Sequence, residues 1–360
     1  MDKNFWRGKR VLITGHTGFK GSWLTIILKR FGANVIGFSK DIPTKPSLFE
    51  IAEVKNDIQN VMENVNNLEK IKQVFYEFKP EIVFHLAAQS IVRESYKKPL
   101  ETFSTNVLGT ANILEVVRNS DFVKVVVVVT SDKSYKVKKN HSKYLEDDPM
   151  GGYDPYSSSK GCAELLTSSF RDSFFNPSKF EEHNVTLATV RAGNVVGGGD
   201  WGTDRLLPDI IRGVENKSKI KIRNPESIRP WQFVLDPLFG YLVLGEKMWK
   251  SKGEFSEGWN FGPTTEEEYT VKWIMEKVKK QFKDRVNFEI DSLNHPHEEK
   301  YLRLDCSKAE KKLLWKSKMT LETTLEWTLN WYEEYMKNSN MREFTEKQID
   351  EFILIENELQ

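Results

Sequence analysis

The stretch RVLITGHTGFKG, residues 10–21, is an apolar run that ends in a glycine-rich turn, and Ser22–Phe31 follows it with a helical pattern. Five residues rich in β-branched and aliphatic side chains read as a buried strand. Glycines at Gly15, Gly18 and Gly21 permit a tight turn and let backbone come close to a ligand. The helix start that follows offers N–H donors and the positive end of a dipole, which suits a pyrophosphate. Gly15, Thr17, Gly18, Phe19, Lys20 and Gly21 are therefore the candidate dinucleotide-binding residues. Asp41 stands 20 residues after Gly21, just past a second apolar run, where a carboxylate meets the adenosine ribose and favours NAD. Lys40 beside it offers the alternative of meeting a 2′-phosphate.

Further along, apolar runs and helical stretches keep alternating. Asn34–Ser39, Ile82–Leu86 and Lys124–Ser131 read as strands, and Thr186–Arg191 as another. Leu68–Phe78, Leu100–Asn119 and Tyr156–Phe175 read as helices between them. This pattern predicts an α/β fold, a doubly wound parallel sheet of Rossmann type. Residues 192–230 are rich in Gly, Pro, Asn and Arg and suit site-forming loops. The expected division is a dinucleotide-binding domain over 1–191 with a return segment near 231–260. A smaller, discontinuous substrate domain takes 192–230 and 261–337, Leu321–Met336 forms a last helix, and 338–360 remains as a tail, polar and charged apart from one apolar cluster.

In 360 residues, 53 Lys+Arg balance 52 Asp+Glu for a net charge of +1, which argues against nucleic acid as partner. A small phosphorylated ligand needs only a few local cations and stays open. Two cysteines, Cys162 and Cys306, are too few for a disulfide scaffold, and the charged start MDKNFWRGKR does not read as a secretion signal. No run approaches a membrane span, so the expectation is a soluble cytoplasmic protein with no membrane partner. His295 and His297, without cysteine partners or a third ligand, do not make a metal site, and no metal is expected.

Tyr156-Ser-Ser-Ser-Lys160 opens a helical stretch. The i, i+4 spacing puts phenol and ammonium on one face, where the cation is expected to lower the phenol pKa for use as a base. Such a pair also occurs as a solvated contact; here it follows a glycine fingerprint and a run of strands. The order TGxxGxxG, a central strand ending in Ser/Thr, then YxxxK resembles the extended short-chain dehydrogenase/reductase family over roughly residues 5–335. Longer segments, HLAAQSIVRESYKKPLETFSTNVLGT, RAGNVVGGGDW, DRLLPDIIRG and IRPWQFVLDPL, resemble its nucleotide-sugar dehydratase branch. Thr130-Ser131-Asp132-Lys133 at the end of the central strand resembles the form found where CDP-glucose is the substrate. Related dehydratases carry Thr-Asp-Glu at this place.

The resemblance implies an NAD-dependent dehydration of a nucleotide sugar, with Tyr156, Lys160, Ser131, Asp132 and Lys133 catalytic. Tyr156 and Lys160 also meet the cofactor, as does Ala87. Lys133 is either the base for the sugar C5 proton or a stabiliser of the enolate; Asp132 and Lys133 also admit the plain reading of a solvated pair. Gln89, Ser90, Asn194, Arg205, Arg229 and His297 are the implied substrate residues, Arg229 suiting a diphosphate. The family's aspartate for the adenine amino group is here Asn64, by counting back from Phe78-Lys79-Pro80; Asp57-Ile58 matches in type at the wrong spacing. A homodimer or homotetramer is expected, through Leu100–Asn119 and Tyr156–Phe175. Two alternatives stay open: a dehydratase for another nucleotide sugar, and a non-catalytic NAD-binding sensor on the same fold.

Overall fold

A computed structural model describes residues 2–138, 143–263, 269–291 and 302–358. Its centre is a seven-stranded parallel sheet. In chain order the strands are β1 (Arg10–Thr14), β2 (Asn34–Ser39), β3 (Gln59–Met62), β4 (Ile82–His85), β5 (Val125–Val129) and β6 (Thr186–Arg191). Two short strands, β7 (Val195–Val196) and β9 (Gln232–Phe233), pair with each other, and β8 (Lys219–Ile222) pairs with β11 (Asn287–Ile290). The seventh strand of the main sheet is β10 (Gly258–Asn260), and the spatial order is β10-β6-β5-β4-β1-β2-β3. The order reverses between β1 and β4, the switch point at which open sheets bind ligands beyond their strand C-termini.

Five consecutive valines make β5, and their alternation explains why the sheet is covered on both faces. Val125, Val127 and Val129 join one apolar core, while Val126 and Val128 join the other. The helices are α1 (Phe19–Arg30), α2 (Leu48–Ile51), α3 (Leu68–Phe78), α4 (Val92–Lys97), α5 (Pro99–Phe103), α6 (Gly109–Arg118), α7 (Pro155–Phe174) and α8 (Phe180–His183). They continue with α9 (Leu206–Glu215), α10 (Leu235–Lys250), α11 (Val271–Phe282), α12 (Leu321–Met336) and α13 (Met341–Glu358). The helical stretch expected over 100–119 is interrupted by a π-helical segment, Ser104–Leu108, between α5 and α6. After residue 230 the chain comes back to the sheet: α10 packs beside β5, and β10 extends the sheet next to β6.

The last segment differs from the polar tail expected of it. Residues Met341–Glu358 form α13, with Ile349, Phe352 and Ile353 buried at helical spacing in the same core as β5 and α10. The segment's apolar cluster supplies much of that stripe, and the helix docks it on the core. Trp331 Nε1 donates to Thr345 Oγ1 (2.9 Å), and Arg30 at the end of α1 pairs with Glu346 (3.2 Å) and Asp350. Helix α1 is thereby wrapped on all sides, with every residue from Gly21 to Leu28 buried.

Candidate active site

The glycine-rich turn lies between β1 and α1. Gly15 has φ +75°, and a Cβ there would fall 2.7 Å from the Ala87 backbone nitrogen, so the loop and the β4 end close on each other. Gly18 caps α1 with no side-chain hydrogen bond, leaving first-turn N–H groups for an anion. Thr17 Oγ1 donates to the Asp41 carbonyl (2.6 Å), which ties the turn to the β2 end and leaves the Asp41 carboxylate exposed. Lys40 is held by Glu101 (3.0 Å). Asn64 follows β3, at the place counting assigned to it, whereas Asp57 precedes β3 and pairs with Arg342 (2.6 Å). These donors and exposed strand-end groups fit a dinucleotide.

His16 has a role that composition did not suggest. It is fully buried, with Ser39 at 2.8 Å and Asn60 at 2.6 Å, one hydroxyl and one amide on its two nitrogens. Burial lowers its pKa to about 4, so the ring is neutral and locks β2 and β3 to the turn. His85 is similar, between Thr14 (2.7 Å) and Thr110 (3.0 Å), with its pKa lowered to about 3 by burial and then by Lys160.

Ser131, Asp132 and Lys133 form a short turn at the C-terminal end of β5. Ser131 Oγ donates to Asp132 Oδ1 (3.0 Å) and accepts from the Lys133 backbone N–H (3.2 Å). Asp132 is 3% exposed because the opposing backbone carries no side chain: a Cβ on Gly193 would stand 1.8 Å from Asp132 Oδ2. Lys133 is half-buried. Helix α7 starts with Pro155 at its first position, and Asp154 accepts from the Ser157 N–H (3.0 Å) as its cap. That start places Tyr156 beside Ser131 and Asp132.

The expected lowering of Tyr156 by Lys160 is not found. Burial pushes the phenol up to about 12, with the Asp132 charge adding to the rise; hydrogen bonding with Ser131 and the charge of Arg205 oppose it. Lys160 is itself buried, donates to the Val129 carbonyl (3.1 Å), and is lowered to about 7 by burial and then by the nearby Lys20 ammonium. Desolvation in the interior is the largest cause of both shifts. The next turn of the same stripe carries Glu164, which is buried against Arg191 (2.8 Å) and also bonded by Thr130 and Thr189. The 156, 160, 164 spacing was available in the sequence; the pairing with a strand end was not.

The substrate residues divide. Arg205 reaches Asp200 (2.9 Å) and Ser90 Oγ (3.3 Å), joining the 192–230 loops to the β4 side, and its charge acts on Tyr156. Gln89 is turned into its own loop: its amide donates to Ile91 O (3.1 Å) and Thr102 Oγ1 (3.0 Å), so it shapes backbone. Asn106, on the π-helical segment, accepts from the Gln89 N–H (2.8 Å) and donates to Ser159 Oγ (2.8 Å), bracing that loop against α7. Asn194 has φ +46° beside the β7 start, and Arg229 lies in the loop before β9. His297, with His295, falls outside the described residues. Among the described residues no group of three His, Cys, Asp or Glu is placed to hold a metal ion, and no helix is long and apolar enough to cross a membrane.

A sheet of this order, a capless helix start and an acid–base cluster at a strand end point to dinucleotide-dependent chemistry on a small ligand. The family model described as GDP-mannose 4,6 dehydratase matches residues 12–328. The chain belongs to the GDP-mannose 4,6-dehydratase family. A CDP-glucose 4,6-dehydratase of Salmonella typhimurium is 50% identical over 98% of this chain and 98% of its own length. A dTDP-glucose 4,6-dehydratase of Haemophilus influenzae is 28% identical over 89% of this chain and 97% of its own. Among solved structures, dTDP-glucose 4,6-dehydratase from Bacillus anthracis in complex with NAD superposes with a TM-score of 0.74 at 21% identity. It covers 93% of this chain and 100% of the other, and at that identity it shows the shared Rossmann-type fold. Membership of this dehydratase family gives the strand-end cluster a chemistry to perform.

Proposed function

We propose that the chain dehydrates CDP-D-glucose to CDP-4-keto-6-deoxy-D-glucose with NAD in the cradle between β1 and α1. The observation that carries the reading is the half-identical CDP-glucose 4,6-dehydratase matched along nearly the whole of both chains. The Ser131-Asp132-Lys133 turn beside Tyr156 supports it. NAD, when bound, accepts the sugar C4 hydride and returns it to C6. Gly18 and the first turn of α1 hold the pyrophosphate, Asp41 the ribose and Asn64 the adenine.

Tyr156 takes the proton of the 4-hydroxyl, assisted by Ser131. With its pKa pushed up to about 12 the phenol rests protonated, so it must first give up its own proton to solvent, and the positive charge of Lys160 favours the phenolate that then accepts the 4-hydroxyl proton. The 4-ketone so formed acidifies the C5 proton. Lys133 serves its removal, as base or as counter-charge to the enolate. Asp132, having taken up a proton, passes it to the departing 6-hydroxyl, and water leaves across C5–C6. Arg205 and Arg229 meet the diphosphate, with Ser90 and Asn194 lining the sugar.

Leu100 (85% exposed), Leu108 (59%) and Leu165 (62%) lie on α5, the π-helical segment and α7, which pack together. They support a homodimer or homotetramer through these helices. The balanced charge, the few cysteines and the lack of a membrane-crossing helix among the described residues fit a cytoplasmic enzyme of deoxysugar synthesis. Incubation of the purified chain with CDP-glucose and NAD should yield a product lighter by one water. Product from another nucleotide sugar and none from CDP-glucose refutes the base assignment; no product from any refutes the enzyme reading.

A further inference from the structure

Glu164 stands one helical turn beyond Lys160 on α7, and Arg191 ends β6. Their side chains are 3% and 5% exposed and meet in a bidentate ion pair, Arg191 Nε on Glu164 Oε1 (2.8 Å) and Nη2 on Oε2 (2.9 Å). The carboxylate also accepts from Thr130 Oγ1 on one oxygen and from Thr189 Oγ1 (2.6 Å) on the other. The remaining guanidinium nitrogen, Nη1, donates to the Tyr135 hydroxyl (2.6 Å) and to the Glu146 carbonyl (2.8 Å). Tyr135 in turn donates to Asn260 Oδ1 (2.7 Å) on β10, whose amide donates to the Tyr144 carbonyl (2.9 Å). Thr130 and Tyr135 are the two residues that bracket the turn Ser131–Ser134. One buried pair thus bonds the catalytic turn at both of its ends.

A buried ion pair adds little net stability over packed apolar side chains, because both charges give up water. What this pair adds is direction. A carboxylate only accepts and a guanidinium only donates, so the hydroxyls of Thr130 and Tyr135 are bonded in one sense alone. Glu164 fixes the front of the turn and Arg191 its back. Beyond Arg191 the chain runs through Ala192 to Gly193, the backbone against which Asp132 is seated. The pair therefore sets where Asp132 and Lys133 stand relative to α7, the helix that carries Tyr156. We propose that Glu164 and Arg191 are positioning residues for the elimination of water, holding the Ser131–Ser134 turn so that Asp132 and Lys133 face the C5–C6 bond. Neither residue forms or breaks a bond in the reaction. Tyr156 and Lys160 are carried by α7 itself, so oxidation at C4 depends on the pair less than elimination does.

This inference rests on the dehydratase reading. The test follows NADH absorbance in single turnovers of CDP-glucose by the full chain with NAD, together with the thermal midpoint of each variant. Thr130→Val and Tyr135→Phe each remove one hydroxyl from the turn at nearly constant volume. Thr189→Val removes the third hydroxyl from the same carboxylate, but on β6 and away from the turn. The two turn variants should form NADH within about threefold of the wild-type rate and lose it about tenfold more slowly, so that bound NADH accumulates. Thr130→Ser, which keeps the hydroxyl, should restore the decay. Thr189→Val should lower the thermal midpoint and keep the wild-type decay. Unchanged decay in both turn variants, equal slowing in Thr189→Val, or slowing of formation as great as that of decay overturns the proposal while leaving the dehydratase reading intact. No NADH and no product from the wild type overturns the dehydratase reading and this inference with it. Tyr135→Phe carries the test where Thr130→Val does not fold.

Discussion

Replacing Gly193 with Ala tests the seat of Asp132 without touching any group that reacts. The three atoms nearest a Cβ at this position all belong to Asp132: Oδ2 at 1.8 Å, Cγ at 2.4 Å and Oδ1 at 3.0 Å. Ordinary contact starts near 3.4 Å, so the nearer oxygen must retreat by 3.4 − 1.8, about 1.6 Å. Asp132 is 3% exposed and has little room to retreat, and overpacking of this kind costs about 1–3 kcal/mol. A displacement of this size also removes Asp132 from Ser131 Oγ, and a misplacement of about 1 Å costs on the order of 10²-fold in rate. Steady-state turnover of CDP-glucose should therefore fall by about 10²-fold, and the thermal midpoint should drop. In an Asp132→Ala background the stability cost of Gly193→Ala should nearly vanish, because the atoms it strikes are gone. An equal cost in both backgrounds, or full turnover by the single variant, refutes the argument.

Tyr156→Phe should lower turnover by about 10²–10⁴-fold, the usual contribution of a positioned base, and NADH absorbance in a single turnover should fail to appear; retained oxidation sinks the assignment. Lys133→Met should slow solvent-deuterium incorporation at C5 while C4 oxidation persists, and normal incorporation would remove Lys133 from that step. Stability should fall as the medium is acidified. His16 and His85, lowered to about 4 and about 3, stay neutral in the fold while the unfolded chain, with histidine near 6.5, takes up protons. The unfolded state binds more protons below pH ~6.5, so each histidine costs about 2 kcal/mol of stability by pH ~5. Urea unfolding at the two pH values measures the loss, and His16→Asn should remove roughly half of it; an unchanged slope would contradict a buried neutral His16.

The parts of the fold that were legible in the sequence have local causes. Valine runs give strands on a covered sheet, and the TGHTGFKG turn can only follow β1 and open α1. The YxxxK spacing places Tyr156 and Lys160 on one helix face whatever else surrounds them. What escaped was settled by distant groups. The phenol shift depends on how completely the interior excludes water, which no spacing states. The burial of Asp132 depends on Gly193, 61 residues away in sequence. The Glu164–Arg191 pair joins a helix to a strand end, and α13 docks its apolar cluster on the core as a helix, a fit that depends on Trp331 and α1.

The enclosure of α1 has a consequence for how the chain reaches this state. The helix that offers its first turn to the pyrophosphate is made early in synthesis, while the helix that covers it, α13, is made more than 300 residues later. Until then Arg30 at the end of α1 lacks Glu346 and Asp350. Helix α1 is thus braced by a segment written more than 300 residues after it. Bound cofactor and the final helix favour the same arrangement of α1 from opposite ends, so each should protect the other against proteolysis.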